Sequence, residues 1–507
     1  MRSVTAAEAR RLDAETIASG TPGIVLMERA ATQVAAEVVR VLARRPALGA
    51  EVVVVAGTGN NGGDGFETAR LLLSGGRVGR VSTLLLGSGP DRLPADARTV
   101  YERLRSAAGP PIVVTTEDGL EPIRRATLVI DALFGTGLSR PVGAESLEAA
   151  AIRMMNAGPF VVAVDIPSGL RGGDGEVSGP HVAADVTVTF GCPKVAHVLL
   201  PAAGGCGRVV VASVGLRGED DEEKGTGPEV VTARDAGRLL PRRGPESHKG
   251  TFGTVCVVGG AVGMAGAPAL AARAAFRSGA GKVVVSAPEE VRPIVHGLCP
   301  EATTAPDGVD PSPFQALAVG PGLGTTERSE RIFRQALGSG IAAVFDADAL
   351  NLAAGRPEVF ARAARTVLTP HPGEAARLLG VSTTQVGRDR KGAALELARR
   401  SGAAVVLKGF RSIVATPEGE VWFVLAGNPG MATGGSGDVL TGVIGAFLAR
   451  GLTARDAAAA GAYLHSLAGD LATEALGEDG VIASDIVDRL PEAFVSLRRY
   501  GNAEAVR

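Results

Sequence analysis

The stretch EVVVVAGTGNNGGDGFETARLLL, residues 51–73, decides how the first half of this chain is read. Its opening apolar run has the length and β-branched content of a strand buried on both faces, and FETARLLL returns to a helical pattern. A buried strand, a glycine loop and a helix in that order begin a βαβ unit, so a parallel sheet is expected. On the N-terminal side, residues 5–45 show helical periodicity through Leu12, Ile17, Leu26, Met27, Ala30 and Val34, interrupted by a turn at Gly20–Gly23. On the C-terminal side, short apolar runs recur at 80–86, 112–115, 127–131, 160–166, 185–190 and 208–214, separated by helical segments.

The texture then changes. Between Gly215 and Lys249 the chain is polar, with the acidic run GEDDEEK at 218–224 and PRRGPESHKG at 241–250. This is the domain boundary the sequence offers. A second series of apolar runs follows at 253–259, 281–287, 317–320, 341–346, 365–369, 403–407 and 411–415. The expectation is two α/β domains, residues 1–217 and 248–507, joined by a linker at 218–247.

Composition narrows the function. Lys and Arg total 52 against 54 Asp and Glu, a net charge of -2, and aromatic residues are 4% of the chain. The chain therefore lacks both the basic footprint and the stacking surface that nucleic acid requires. Four scattered cysteines, Cys192, Cys206, Cys256 and Cys299, make no disulfide framework, and an N-terminus carrying Arg10, Arg11, Asp13 and Glu15 is no signal peptide. A cytoplasmic protein is expected. The uncharged stretch Gly250–Ala272 is broken by glycines and Pro268, so it reads as strand, loop and helix start, and no membrane association is expected.

The glycine loop Gly57–Gly65 precedes a helix N-terminus, where backbone N–H groups and the dipole favour an anion. Its spacing is not GxGxxG, because Asn60, Asn61 and Asp64 occupy it. Two further strands end in polar clusters, Asp131 within DALFGTGLSRP and Asp165 within DIPSGL, which carries Ser168. Ligands of open parallel sheets bind outside the carboxyl ends of the strands, so Asn61, Asp131, Asp165 and Ser168 are expected at one crevice, with oxygens suited to a hard cation. GNNGGDG, DALFGTGLSRP and DIPSGL, after a TPGIVLMERAA helix, resemble the NAD(P)H-hydrate epimerase domain over about residues 5–217. The resemblance implies a Rossmann-like doubly wound sheet, interconversion of the R and S hydrates of NADH or NADPH, and bound potassium. It implies substrate contacts at Asn60, Asn61, Gly62, Gly63 and Asp64, at Gly135, Thr136, Gly137, Leu138, Ser139, Arg140 and Pro141, and at Asp165. It also implies potassium held through Asn61, Asp131 and Ser168. Asp165 is the candidate catalytic acid/base, a carboxylate able to move a proton as the carbinol carbon loses and regains its hydroxyl.

In the second half, GNPGMATGGSGDVLTGVIGAFLA at 427–449 sets Gly434, Gly435 and Gly437 before an apolar helix that carries Asp438 at its start. Backbone donors around an anion with a carboxylate beside them suit phosphoryl transfer, the Asp positioning or deprotonating an attacking hydroxyl. VVLKGFRSIV places Lys408 at a strand end, and TPHPGE fixes His371 between two prolines. With VGPGLG at 319–324, these segments resemble the ADP-dependent NAD(P)H-hydrate dehydratases of the ribokinase-like superfamily over about residues 245–500. The resemblance implies a ribokinase-like α/β sandwich and dehydration of the S hydrate at the expense of ADP, with Mg²⁺ accompanying the nucleotide. It implies hydrate contacts at Ala267, Gly322, His371 and Asp438, with Asp438 catalytic. Nucleotide contacts are implied at Lys408, Gly409, Phe410, Arg411, Ser412 and Gly437. The chain departs from the family in Phe410, Arg411 and Ser412, where small residues and Thr are usual.

The reading is thus a bifunctional nicotinamide-nucleotide repair enzyme taking the hydrates and ADP as small-molecule substrates, and a homo-oligomer is expected. The alternative is a ribokinase-like kinase for a vitamin-precursor alcohol, joined to a non-catalytic N-terminal binding module.

Overall fold

The computed structural model describes residues 1–502 apart from 77, 139, 174, 220–224 and 364, with side chains up to residue 499. It divides into two compact units, Met1–Val230 and Val231–Arg507.

In the first unit, strands β1 (Val52–Ala56), β2 (Val81–Leu86), β3 (Ile112–Val114), β4 (Leu128–Ala132), β5 (Phe160–Val164), β6 (Val186–Phe190) and β7 (Arg208–Ala212) form one sheet of order β3-β2-β1-β4-β5-β6-β7. Every neighbouring pair is parallel. This is the doubly wound sheet that the sequence led us to expect, and its order reverses between β1 and β4. Val52 and Val54 join the core under the helices Gly23–Arg44, Asn60–Gly75 and Ala95–Ala108, whereas Val53 and Val55 join the core with the helix Leu147–Met155. A strand covered on both faces has no polar side, which is why β1 reads as consecutive valines.

One boundary differs from the reading. The helix after β1 begins at Asn60, so NNGGDG forms its first turns and not a free loop. The glycines make this possible: a Cβ on Gly62 would stand 2.0 Å from the Gly57 carbonyl oxygen, and one on Gly65 would stand 2.6 Å from Ala132 Cβ. The helix start therefore packs directly on the ends of β1 and β4.

The second unit holds β9 (Thr254–Val258), β10 (Lys282–Ser286), β11 (Thr303–Ala305), β12 (Ala316–Val319), β13 (Ala342–Phe345), β14 (Thr366–Leu368), β15 (Ala404–Leu407), β16 (Ile413–Ala415) and β17 (Val421–Val424) in the order β11-β10-β9-β12-β13-β14-β15-β16-β17. The two-residue β8 (Val230–Val231), where the division falls, extends that edge. Pairs from β11 to β15 are parallel, but β15–β16 and β16–β17 are antiparallel. The segment Lys408–Ser412 is too short for a crossover, so the chain must turn back on itself there. One sheet face is covered by the helices Gly266–Arg277, Ser436–Ala449, Ala454–Leu476 and Ala483–Asn502. The other carries an aromatic cluster of Phe333, Phe345 and Phe360, with ring centroids 5.1–5.9 Å apart. From Val439 to Ala449 every residue of the central helix is buried, so it is apolar all round.

The expected linker is largely absorbed by the units. Gly227 donates to the Ser3 carbonyl at 3.0 Å, and Arg2 pairs with Glu229 at 3.1 Å. The helix Ala233–Leu239 carries a Thr232–Asp235 capping box and buries Ala236 in the second core, together with Leu240 just beyond it. Apolar spacing within a polar composition made these residues easy to miss. The acidic run itself lies mostly outside the described residues.

Candidate active sites

The carboxyl ends of β1, β4, β5 and β6 surround a cavity of ≈ 510 Å³ in the first unit. Asn60, Asn61, Asp64, Gly135, Thr136, Gly137, Leu138, Arg140 and Asp165 line it. Gly62 and Gly63 are turned into the packing and Pro141 stands outside the lining, while Ser139 lies outside the described residues. The N-terminal helix Ala6–Ala18 closes one wall with Arg10 and Asp13, and the Arg10 guanidinium donates to the Thr136 carbonyl at 2.8 Å.

Asp165 follows β5 with φ 67°, a conformation rare for a residue with a Cβ and a sign that the surroundings hold it. Its Oδ1 accepts from Lys194 Nζ at 2.6 Å and from Thr189 Oγ1 at 3.1 Å, and Lys194 Nζ also donates to Thr189 Oγ1 at 2.8 Å. Both partners of this ion pair are buried. Burial alone would push the Asp165 carboxyl up, but the Lys194 ammonium overcomes it and holds the group below the usual range. Asp64 is the opposite case. Burial and then the charges of Asp165 and Asp13 push it well above the usual carboxylate range, against the pull of Lys194. One cavity thus contains a carboxyl group held below the usual range and another pushed above it, and a division of this kind lets a site give and take a proton.

Asp131, the penultimate residue of β4, is fully buried. Ser168 donates to it twice, from Oγ at 2.5 Å and from its backbone N–H at 2.8 Å, and Leu133 N–H adds a third bond at 3.3 Å. Burial still outweighs these donors and raises Asp131 to about 6. In the cavity lining, Asn61 Oδ1 would lie 2.9 Å from a Cβ on Gly135, and the Asn61 amide nitrogen is buried without a hydrogen-bond partner among the described residues. The Asp131 carboxylate and the Ser168 hydroxyl are thus paired at the end of β4, whereas Asn61 is in the cavity lining and those two are not.

In the second unit the centre is a residue that the sequence reading did not assign. Asp346, directly after β13, is 1% exposed and accepts from Lys408 Nζ at 2.7 Å and from Thr441 Oγ1 at 2.9 Å. Ala347 follows at φ 49°, a strained turn that aims Asp346 inward. Lys408 Nζ also lies 3.8 Å from Glu374 Oε2. Burial opposes its charge, but Asp346 and Glu374 hold the ammonium above its ordinary value. A Cβ on Gly437 would stand 3.1 Å from Lys408 Nζ and 3.2 Å from Asp346 Oδ2, so glycine is what lets the helix Ser436–Ala449 begin against this pair.

Asp438 sits half-buried in the first turn of that helix. Burial, then the negative charge of Asp346, raises it to about 7 despite Lys408. Glu374 is likewise raised to about 7, first by burial. His371 caps the helix Pro372–Leu379, its Nδ1 accepting from Gly373 N–H at 3.0 Å. That bond leaves the proton on Nε2, 3.4 Å from Glu374 Oε1. Burial, followed by the Lys408 charge, lowers His371, so the ring is a neutral donor. Ala267 and Gly322 lie together: Gly322 has φ 61°, and a Cβ there would be 3.3 Å from Ala267 Cβ. Along the nucleotide segment, Gly409 has φ 143°, Phe410 is exposed, Arg411 is buried with its guanidinium over the Phe410 ring, and Ser412 Oγ donates to the Gly409 carbonyl at 3.1 Å. No group of three or more His, Cys, Asp or Glu side chains among the described residues is arranged to hold a metal ion.

Several of these residues had a signal in the sequence. Asp346 ends an apolar run as Asp131 and Asp165 do, and Thr441 follows Asp438 at helical spacing. Lys194, Thr189 and Asp13 had none, since only the strand order and the docking of the helix Ala6–Ala18 bring them to Asp165 and its cavity.

A family model described as YjeF-related protein N-terminus matches residues 23–196, and one described as NAD(P)H-hydrate dehydratase matches residues 255–492. A bifunctional NAD(P)H-hydrate repair enzyme Nnr from Moorella thermoacetica is 39% identical, covering 98% of this chain and 97% of its own. The protein of the same name from Coxiella burnetii is 38% identical, covering 95% and 97%. Among solved structures, an ADP/ATP-dependent NAD(P)H-hydrate dehydratase from Bacillus subtilis, co-crystallised with ATP/Mg2+, is 34% identical with a TM-score of 0.50, covering 53% of this chain and 99% of that one. With both units matched and identity sustained almost from end to end, this chain belongs to the family of bifunctional NAD(P)H-hydrate repair enzymes.

Proposed function

We infer that this chain repairs hydrated nicotinamide nucleotides: the first unit exchanges the R and S epimers, and the second dehydrates the S epimer using ADP or ATP. The observation that carries the reading is the presence, on one chain alike to such enzymes over nearly its whole length, of a strand-end cavity lined by Asp64 and Asp165 in the first unit and a buried Asp346–Lys408 pair at strand ends in the second.

For epimerisation, the carbinol hydroxyl must leave as water and water must return to the opposite face. Asp64, pushed well above the usual carboxylate range, suits proton donation to the departing hydroxyl, and Asp165, held below that range by Lys194, suits removal of a proton from the incoming water. Asn61, Asp131 and Ser168 would hold potassium, whose fixed positive charge would offset the buried Asp131 carboxylate.

For dehydration, Asp438 takes the proton of the carbinol hydroxyl as its oxygen attacks the terminal phosphorus of the nucleotide. The phosphate then leaves with the C–O electron pair, pushed by the ring nitrogen, and loss of the neighbouring proton restores the dihydronicotinamide. N–H groups of the Gly434–Gly437 turn face the phosphate charge, and the Lys408–Ser412 segment borders the nucleotide. Mg²⁺ arrives with the nucleotide and not in a cage of protein ligands. Buried free cysteines, all four of them, suit a reducing cytoplasm. Among the described residues no helix is long and apolar enough to cross a membrane. A homo-oligomer remains part of the proposal, tested by light scattering.

The test supplies an epimer mixture of NADH hydrate with Mg²⁺, potassium and ADP, then ATP, and follows the returning reduced-nicotinamide absorbance. Full recovery is expected. Recovery that stops when the S epimer is consumed would remove the epimerase, and no recovery with either nucleotide would remove the dehydratase.

A further inference from the structure

The glycine turn at Gly434–Gly437 has little of its own to hold it. Gly434 is exposed, Gly435 has φ 90°, and a loop this rich in glycine loses much backbone freedom when a ligand orders it. Something outside the turn must fix the preceding segment, Gly427–Thr433, and the helix Ala454–Leu476 does so along one stripe. His465, Gly469 and Thr473 stand at successive four-residue steps on that helix, with Asp470 beside them.

Gly469, Asp470 and Thr473 meet the segment, and His465 meets the end of the turn that follows it. The buried Asp470 carboxylate accepts from Gly427 N–H at 3.0 Å and from Asn428 Nδ2 at 2.8 Å. Asn428 Oδ1 in turn accepts from Thr473 Oγ1 at 2.8 Å and from Gly430 N–H at 3.0 Å. The Met431 side chain lies in a notch that exists only because position 469 has no Cβ, since a Cβ there would stand 2.3 Å from Met431 Sδ and 2.5 Å from Cγ. At the far end of the turn, His465 Nε2 lies 3.3 Å from Ser436 Oγ. Burial pushes His465 down to about 4, so the ring is neutral here.

We propose that Gly469 and Asp470 are positioning residues that dock Met431 and Asn428, hold the glycine turn in its anion-binding shape, and so set the nucleotide affinity of the dehydratase site. The inference rests on reading that turn as the phosphate end of the site. Neither residue reaches the reacting atoms. Their effect is expected on nucleotide binding more than on the chemical step.

The test measures ADP·Mg²⁺ binding by calorimetry, dehydratase kinetics, melting temperature and epimer exchange on the full chain. It compares the unmodified protein with Gly469→Ala, Met431→Ala, the double variant and Asp470→Asn. Gly469→Ala is expected to raise the nucleotide Kd and KM by about tenfold while kcat changes less than about twofold. Met431→Ala in the same chain should restore most of the loss by vacating the notch, and epimer exchange should be unchanged throughout. A folded Gly469→Ala protein with normal nucleotide affinity, or a double variant no better than the single, overturns the inference. If Gly469→Ala does not fold, Asn428→Ala on the loop side takes its place, and normal affinity there overturns it equally. Failure of the unmodified chain to bind ADP or ATP sinks the reading of the site itself.

Discussion

Lys408 Nζ lies 2.7 Å from Asp346 Oδ1, in a pocket where Asp346 is 1% exposed and Thr441 supplies its other oxygen with a hydrogen bond. The ammonium therefore compensates the buried Asp346 carboxylate before any nucleotide arrives. Lys408→Met would leave a buried carboxylate uncompensated, which costs about 3–5 kcal/mol. We expect a clear loss of melting temperature in the second unit's transition together with loss of dehydration. A variant that is inactive yet fully stable would mean that Lys408 serves the nucleotide alone.

Thr441→Val isolates the other half of that contact. It removes one hydrogen bond to Asp346 and keeps the shape, at a cost of about 1–3 kcal/mol for the buried acceptor. Differential scanning calorimetry checks the loss, and an unchanged transition would show that water replaces the hydroxyl.

The pH dependence of dehydration follows from Asp438. A carboxylate raised to about 7 is protonated below that pH and unable to accept the hydroxyl proton, so kcat/KM should climb as pH rises toward about 7 and then level off. Glu374 titrates in the same range and its charge helps to keep Asp438 high. Glu374→Gln should therefore move the rising limb to lower pH. A limb that stays in place, or moves upward, would assign it to a different group.

The two activities should separate cleanly. Asp165→Asn, which tolerates the positive φ better than Asp165→Ala, is expected to abolish epimer exchange and spare dehydration of the S epimer. Asp438→Asn should do the reverse. Equal damage to both activities in a folded protein would refute the assignment of separate sites.

Potassium supplies a further check. Ser168→Ala removes the hydroxyl that orients Asp131, and the potassium concentration for half-maximal epimer exchange should rise by about tenfold or more. Exchange that is indifferent to potassium in the unmodified protein would remove the cation from the proposal.

What the sequence alone determined was local. Continuous apolar runs such as EVVVVA and FVVAV read as strands covered on both faces, so the parallel sheet and the strand ends bearing Asp131 and Asp165 were legible from residues close together in the chain. Local pattern also made NNGGDG look like a loop, because glycine and asparagine favour turns, and only its contacts with Gly57 and Ala132 make it a helix start. Pairings across long separations were decided by the tertiary structure. Lys194 meets Asp165 because β6 lies beside β5, and Asp346 gathers Lys408 and Thr441 because β13, β15 and the central helix end at one place. Burial completed the difference: the same carboxyl group is held ionised at Asp165 and raised to about 7 at Asp438, because desolvation and the nearest charges exist only once the chain has folded around them.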